Sequence, residues 1–148
     1  MIALLALLLG AAAPAEKPGA FVERLYAGYR DPDYSPLARP ERVFAPPLVA
    51  AIREDARLSR DEVGYMDADP LCQCQDPTGL RPDIREIRTS GRSRASVRVG
   101  IDFGADHREV RLRLVRTAAG WRIADVATAD EPSMLASLLR FNRRQSGR

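Results

Sequence analysis

Three aspartates and both cysteines of this chain fall within the ten residues Asp67-Ala68-Asp69-Pro70-Leu71-Cys72-Gln73-Cys74-Gln75-Asp76. In an oxidising compartment the even cysteine count suggests a disulfide between Cys72 and Cys74. A redox-active pair, a pair of metal ligands, and unpaired or intermolecular thiols are the alternatives. In an extended strand the two Cα atoms would stand roughly 6.5–7 Å apart, at or past the limit for a bridge. The segment must therefore turn for the bond to form. A strained disulfide is more easily reduced, which would suit redox chemistry, but the thioredoxin context of the usual Cys-x-x-Cys motif is absent. Two cysteines, one aspartate and His107, the single histidine, would complete a tetrahedral zinc or copper site. His107, however, falls in an expected turn beside Asp106 and Arg108, and structural zinc sites usually show two clear ligand pairs. No metal or other cofactor is expected.

The aspartates have two readings. Asp69-Pro70 and Asp76-Pro77 fit turns in which a carboxylate accepts nearby backbone N–H groups. Alternatively Asp67, Asp69, Gln75 and Asp76 line a pocket. Asp125 falls in the register of Trp121 and Ile123, which directs it toward the covered face of a sheet; buried there, it needs a hydrogen-bonding or charged partner. Trp121 opens a strand after a turn and is read as core, with ligand stacking as the alternative. Tyr26 and Tyr29 are core or pocket lining. The chain lacks a nucleophile–base pair, a glycine-rich phosphate loop and a metal signature.

The elements that would position these residues follow from periodicity. Phe21, Val22, Leu25, Tyr26 and Tyr29 recur at helical spacing, giving a first helix from about Pro18 to Tyr29 that Asp31-Pro32 ends. Ser35-Pro36 would open a short helix. Leu48, Val49, Ile52 and Ala56 define another after Pro46-Pro47, and Ser59 with Glu62 has the spacing of a capping box. Beyond Asp76 the period changes to two. Ala95, Val97, Val99, Ile101 and Phe103 share one face of the clearest strand, with Ser96, Arg98, Gly100 and Asp102 opposite. Turns expected at Ser90–Ser93, Gly104–Arg108 and Thr117–Gly120 join four antiparallel strands. Pro132-Ser133 opens a closing helix with Met134, Leu135, Leu138 and Leu139 on one side. Helices and strands are segregated, so the fold class is α+β: helices cover one sheet face, and arginines face water on the other.

Ile2 to Leu9 are all apolar. The run is too short to span a bilayer but matches a secretory signal peptide, and Ala13-Pro14-Ala15 offers small residues for cleavage after Ala15. No lysine or arginine precedes the run. The expected organisation is a signal peptide over residues 1–15, a linker over 16–19, one α+β domain over 20–141 and a basic disordered tail over 142–148. Formal charge is +3, and all but one of the 23 basic residues are arginine. These alternate with apolar residues or pair with acids, so they read as solvated strand faces. Aromatic platforms and a groove helix are missing, which excludes a nucleic-acid binder.

Asp67-Ala68-Asp69-Pro70 with Gln75-Asp76, and Gly120-Trp121-Arg122-Ile123-Ala124-Asp125-Val126 near the end, resemble the domain of unknown function 3828 family, small exported bacterial proteins. That family is similar in architecture to the nuclear transport factor 2-like superfamily. The resemblance implies a curved sheet wrapped around helices into a cone with a pocket, and a periplasmic or secreted location. Some members of the superfamily use a pocket aspartate as a general base, which requires a carboxyl pKa raised by burial. Cys72 and Cys74 inside the acidic motif depart from the family pattern.

The function expected is that of an exported, non-catalytic binding domain with a pocket near Asp67–Asp76. Its partner would be a small molecule or an exported protein, and it would be a monomer or weak dimer that does not span the membrane. The alternative is an exported enzyme or a redox or metal protein using Cys72, Cys74 and the neighbouring aspartates.

Overall fold

Proline opens the first three helices: α1 (Pro18–Ala27), α2 (Pro40–Val43) and α3 (Pro46–Ser59). Its fixed φ suits the first helical turn, where its missing N–H would have no intrahelical acceptor. The computed structural model describes residues 15–60 and 62–147. All of the expected leader except Ala15 lies outside the described residues. The fourth helix, α4 (Met134–Ser146), starts from a side-chain cap instead. Ser133 Oγ accepts from the Ala136 N–H at 3.1 Å, so one of the first-turn donors is satisfied.

Between α3 and α4 the chain forms a sheet of β1 (Arg81–Ser90), β2 (Arg94–Phe103), β3 (Asp106–Thr117) and β4 (Gly120–Ala127), antiparallel in chain order. The fold is therefore α+β, a meander with helices segregated from strands. Val97, Val99 and Ile101 of β2 pair laterally with the β3 segment carrying Val110 and Leu112, and all five are fully buried. Phe21 and Val22 of α1, Leu48 of α3 and Leu138 of α4 complete the same core. Each such side chain contributes about 1.5–3 kcal/mol on full burial. Ser96, Arg98, Arg111 and Arg113 occupy the opposite face, as the alternation predicts. Beyond β4, the Ala45 N–H donates to the Ile123 carbonyl at 2.8 Å and covers that edge. The β1 edge carries Pro82 and the charges of Arg81, Asp83, Arg85 and Arg88, residues that discourage edge pairing.

Several local expectations change. The helix expected at Ser35-Pro36 is a single turn, with the Leu37 N–H on Ser35 Oγ at 3.2 Å. Helix starts at Pro40 instead, because the residue before a proline avoids the helical region and Arg39 stays out of it, at φ −138° and ψ 70°. Ser59 ends α3 rather than capping a new helix; the Glu62 N–H returns to its carbonyl at 2.7 Å. The first helix stops at Ala27 and tightens into a 3-10 turn over Gly28–Arg30. There a Cβ on Gly28 would stand 2.9 Å from the Tyr34 ring, so glycine lets that ring pack close. The second hairpin turn is shorter than expected, because Gly104 adopts φ +63° and reverses the chain quickly. His107 and Arg108 thus belong to β3, where His107 lies across from Asp102, Nδ1 to Oδ1 at 2.5 Å.

The expected disordered tail over 142–148 is helical through Ser146. Asn142 is 5% exposed and its Nδ2 donates to the Ala51 carbonyl of α3 at 2.9 Å. A buried side-chain bond between helices is what the basic composition of this stretch conceals. Asn142→Ala should cost about 1–3 kcal/mol, the penalty for a buried acceptor left unpaired. Deletion of residues 142–148 should lower the thermal midpoint by a similar or larger effect, read by circular dichroism. A truly disordered tail would leave the midpoint unchanged.

Candidate functional site

The Asp67–Asp76 segment forms a tight loop docked on α1. The Asp69 N–H donates to the Cys74 carbonyl at 2.9 Å, and the Gln73 N–H donates to the Asp69 carbonyl at 2.8 Å. Gln73 sits in the left-handed region at φ +55°, a conformation uncommon for a residue with a Cβ. That reversal brings the Cα atoms of Cys72 and Cys74 to 5.1 Å, and the two form a disulfide. The turn required by the spacing is thus present. Cys72 is fully buried. Arg108, at the start of β3, donates to the Gln73 carbonyl and lies against the Phe103 ring, its guanidinium carbon 5.6 Å from the ring centre.

Two tyrosines one helical turn apart hold this loop. The Tyr26 hydroxyl donates to the Leu71 carbonyl at 2.7 Å, and the Tyr29 hydroxyl donates to Asp69 Oδ2 at 2.7 Å. Asp69 Oδ1 accepts the Leu71 N–H at 2.8 Å. Burial pushes the Asp69 carboxyl above its ordinary range, while the Tyr29 hydroxyl and the Leu71 and Cys72 N–H groups pull it partly back. Burial, with the Asp69 charge adding to it, raises both tyrosine hydroxyls, so both stay protonated donors. Tyr34 packs edge-on against Tyr29 at 5.0 Å and is pushed up to about 12 by the same burial and charge.

The structure brings Tyr26, Tyr29 and Asp69 together, leaves Asp67 beside Asp69, and separates Gln75, Asp76, Trp121 and Asp125 from them. Asp67 is exposed and shares a hollow of about 200 Å³ with Asp69, Tyr65 and Glu131, the last two hydrogen-bonded to each other. Asp76 and Gln75 are exposed in a cleft of about 540 Å³ beside Phe103 and Arg108. The Thr78 N–H donates to Asp76 Oδ1 at 2.9 Å, and Thr78 holds the Asp76 carboxyl below its usual range. Trp121 is core: it is 4% exposed, and its Nε1–H donates to the Glu16 carbonyl at 2.9 Å. Among the described residues no group of three or more His, Cys, Asp or Glu stands close enough to hold a metal ion.

Asp125 differs from its expected register. Arg113 pairs with Asp125 and Leu114 with Ile123, so Ala124 is an extra residue that bulges out of β4. The bulge turns Asp125 to the arginine face, away from Trp121 and Ile123. It stays 7% exposed because α4 begins over it. Oδ2 accepts from Arg113 Nη1 at 2.8 Å and from Ser133 Oγ at 2.6 Å. Oδ1 accepts the Leu135 and Val126 N–H groups, each at 2.9 Å. The carboxylate is thus paired and seated at a helix N-terminus, where the backbone dipole favours an anion.

Sequence reasoning missed two features. Asp55, 2% exposed, accepts the Tyr65 and Met66 N–H groups at 2.9 and 3.0 Å and anchors the loop after α3. Its place three residues past Ile52 on the apolar stripe was the available signal. The larger omission is a groove of about 790 Å³ at the end of the arginine face. Arg88, Arg94, Arg111 and Arg113 stand around it. The floor is Val115 with the bulged Ala124; Leu135 forms one wall, and Pro46 and Pro47 another. Arg113 is held by Asp125 and Arg88 by Glu86 at 2.6 Å, while Arg94 and Arg111 make no ion pair among the described residues. Strand alternation signalled the arginines, but nothing local in the sequence signalled Pro46, Pro47 and Leu135 beside them.

No protein-family model matches the chain, and no curated protein matches it in sequence. Among solved structures it is similar to a phospholipid-binding protein from Ralstonia solanacearum, determined in complex with a phospholipid. Identity is 10%, the TM-score is 0.39, and the match covers 88% of each chain.

Tyr29→Phe should cost about 1 kcal/mol in urea unfolding, because Asp69 loses a donor in a half-buried site. It should also move the Asp69 carboxyl further up in an NMR titration. Asp69 has a folded pKa above its unfolded value of about 3.9, so its contribution to stability is lost as pH rises through the folded value. Asp69→Asn should therefore be destabilised relative to the parent, by a margin that narrows as pH rises from about 4 through that window. A margin that widens with pH would show that the charged form is the stabilising one.

Proposed function

We propose that this chain is an exported domain that binds a small molecule and does no chemistry on it. The observation that carries the reading is the groove on the arginine face. Its volume falls within the range of about 300–1,000 Å³ usual for small-molecule sites, and it combines apolar lining with a few polar groups. The Asp67–Asp76 segment supports the same reading from the other side. Asp69 is spent on Tyr29 and the Leu71 N–H, and Cys72 is buried in the disulfide, so the loop acts as a clasp.

Export with cleavage after Ala15 into the periplasm or medium belongs to this proposal. So do the resemblance to the domain of unknown function 3828 family, a cone of the nuclear transport factor 2-like kind, and a monomeric or weakly dimeric state. The disulfide is consistent with an oxidising compartment. No helix among the described residues is long and apolar enough to cross a membrane.

Native intact mass of the protein purified from an exporting host is the test. The expected species begins at Glu16, is two hydrogens light, and carries a small-molecule adduct that is lost on denaturation. A chain that retains Met1–Ala15 overturns export. A protein that carries no adduct and takes up none from a periplasmic extract overturns binding. Turnover of any substrate that disappears in Asp69→Asn, with the fold retained, overturns the absence of chemistry.

A further inference from the structure

Resting on that reading, we infer that the groove on the arginine face takes a free single-chain organic anion, a long-chain carboxylate, with its head among Arg94 and Arg111 and its chain along Val115, Ala124 and Leu135. The lining holds both kinds of group that such a ligand needs: its charged members are arginines alone, and Val115, Ala124, Leu135, Pro46 and Pro47 are apolar.

Both kinds of group come to this face from the strands. Arg94 and Val115 are cross-strand partners, so a cationic residue of β2 lies directly beside the apolar floor. Arg111 is two residues before Arg113 on β3 and therefore points to the same face. Arg113 is already committed to Asp125 Oδ2 at 2.8 Å and to the Pro132 carbonyl at 3.1 Å, so it shapes the site rather than supplying open donors. Arg94 and Arg111 make no hydrogen bond or ion pair through their guanidinium groups among the described residues. Both are exposed, and their forks present paired N–H donors matched to a carboxylate. Besides Glu109, two residues before Arg111 and paired with Arg85 and Arg98, the acid near Arg111 is Glu86, whose carboxyl is held below its usual range first by Arg88 and then by Arg98 and Arg111. It lies outside the lining. A carboxylate head therefore meets net positive charge.

The floor is shallow and apolar because of the bulge. The extra residue in β4 is alanine, whose small side chain leaves room over Val115. Leu135 closes one side because Asp125 holds its N–H at 2.9 Å, and the opposite wall is rigid proline, Pro46-Pro47, at the start of α3. An inorganic anion would satisfy the arginines but leave this surface wet. An uncharged alkane or alcohol would cover the surface but leave the guanidinium groups without an acceptor.

The experiment is calorimetric titration of the full exported chain with dodecanoate below its micellar concentration. Octanoate, dodecanol, acetate and inorganic phosphate serve as comparison ligands. Dodecanoate should bind one per chain. Octanoate should bind about tenfold more weakly or worse, since methylenes leave the apolar floor. Acetate and phosphate should give no saturable binding. Arg94→Ala/Arg111→Ala should weaken dodecanoate by about tenfold or more. Pro47→Glu, an exposed position in the first turn of α3 where an acid is tolerated, should weaken it similarly with an unchanged thermal midpoint. Absence of dodecanoate binding, or affinity unchanged in both variants, overturns the inference. Co-sedimentation with vesicles of anionic lipid without binding of monomeric dodecanoate overturns it in favour of a lipid surface. A native adduct of other chemistry, with dodecanoate failing, overturns this ligand class and leaves the binding-domain reading standing.

Discussion

The carboxylate of Asp125 is the point on which the arginine face depends. A charge taken nearly out of water must be paired and hydrogen-bonded or it costs several kcal/mol. Asp125 meets that demand with groups from three elements: the Arg113 guanidinium of β3, the Val126 N–H of β4, and the Ser133 hydroxyl and Leu135 N–H at the start of α4. Satisfying one buried charge therefore fixes where α4 begins. That in turn sets Leu135 as a wall and Arg113 as a fixed edge of the groove. The bulge at Ala124 is part of the same device, because strict alternation along β4 would put Asp125 with Trp121 and Ile123 among the core side chains.

A second polar tie holds the loop after α3. Tyr26 and Tyr29 have apolar rings in or against the core and hydroxyls that reach the Asp69–Cys74 loop. Arg108 approaches the same loop from the sheet and takes the carbonyl that the left-handed Gln73 exposes. The loop is thus clamped between α1 and β3, with its disulfide inside. Asp69, Cys72 and Cys74 tie this loop together, through the Tyr29 and Leu71 donors and the disulfide.

The chain's two faces divide labour on physical grounds. Helices bury the apolar side of the sheet against one core. The other side cannot be covered in the same way, because Ser96, Arg98, Arg111 and Arg113 are costly to desolvate. At the end where Pro46, Pro47 and Leu135 rise above that surface, a flat solvated face becomes a groove.

Much of this was legible in the residues. Period-two alternation from Ala95 to Phe103 and from Val110 to Leu114 dictated the strands, their buried face and the hairpin order, because strand side chains alternate strictly. Helical spacing of Phe21, Val22, Leu25 and Tyr26 dictated the buried side of α1, and the cysteine spacing dictated that a bridge needs a turn. What the sequence could not determine was anything set by contact between distant segments. That includes the Tyr29–Asp69 bond across 40 residues, the Asn142–Ala51 bond that makes the expected tail a helix, the bulge that reversed Asp125, and the meeting of Pro46, Leu135 and the arginines. Local pattern records which side chains avoid water, because that preference belongs to each residue alone. Which polar groups find one another, and which apolar walls enclose a space, depends on distances that exist only after the chain has folded.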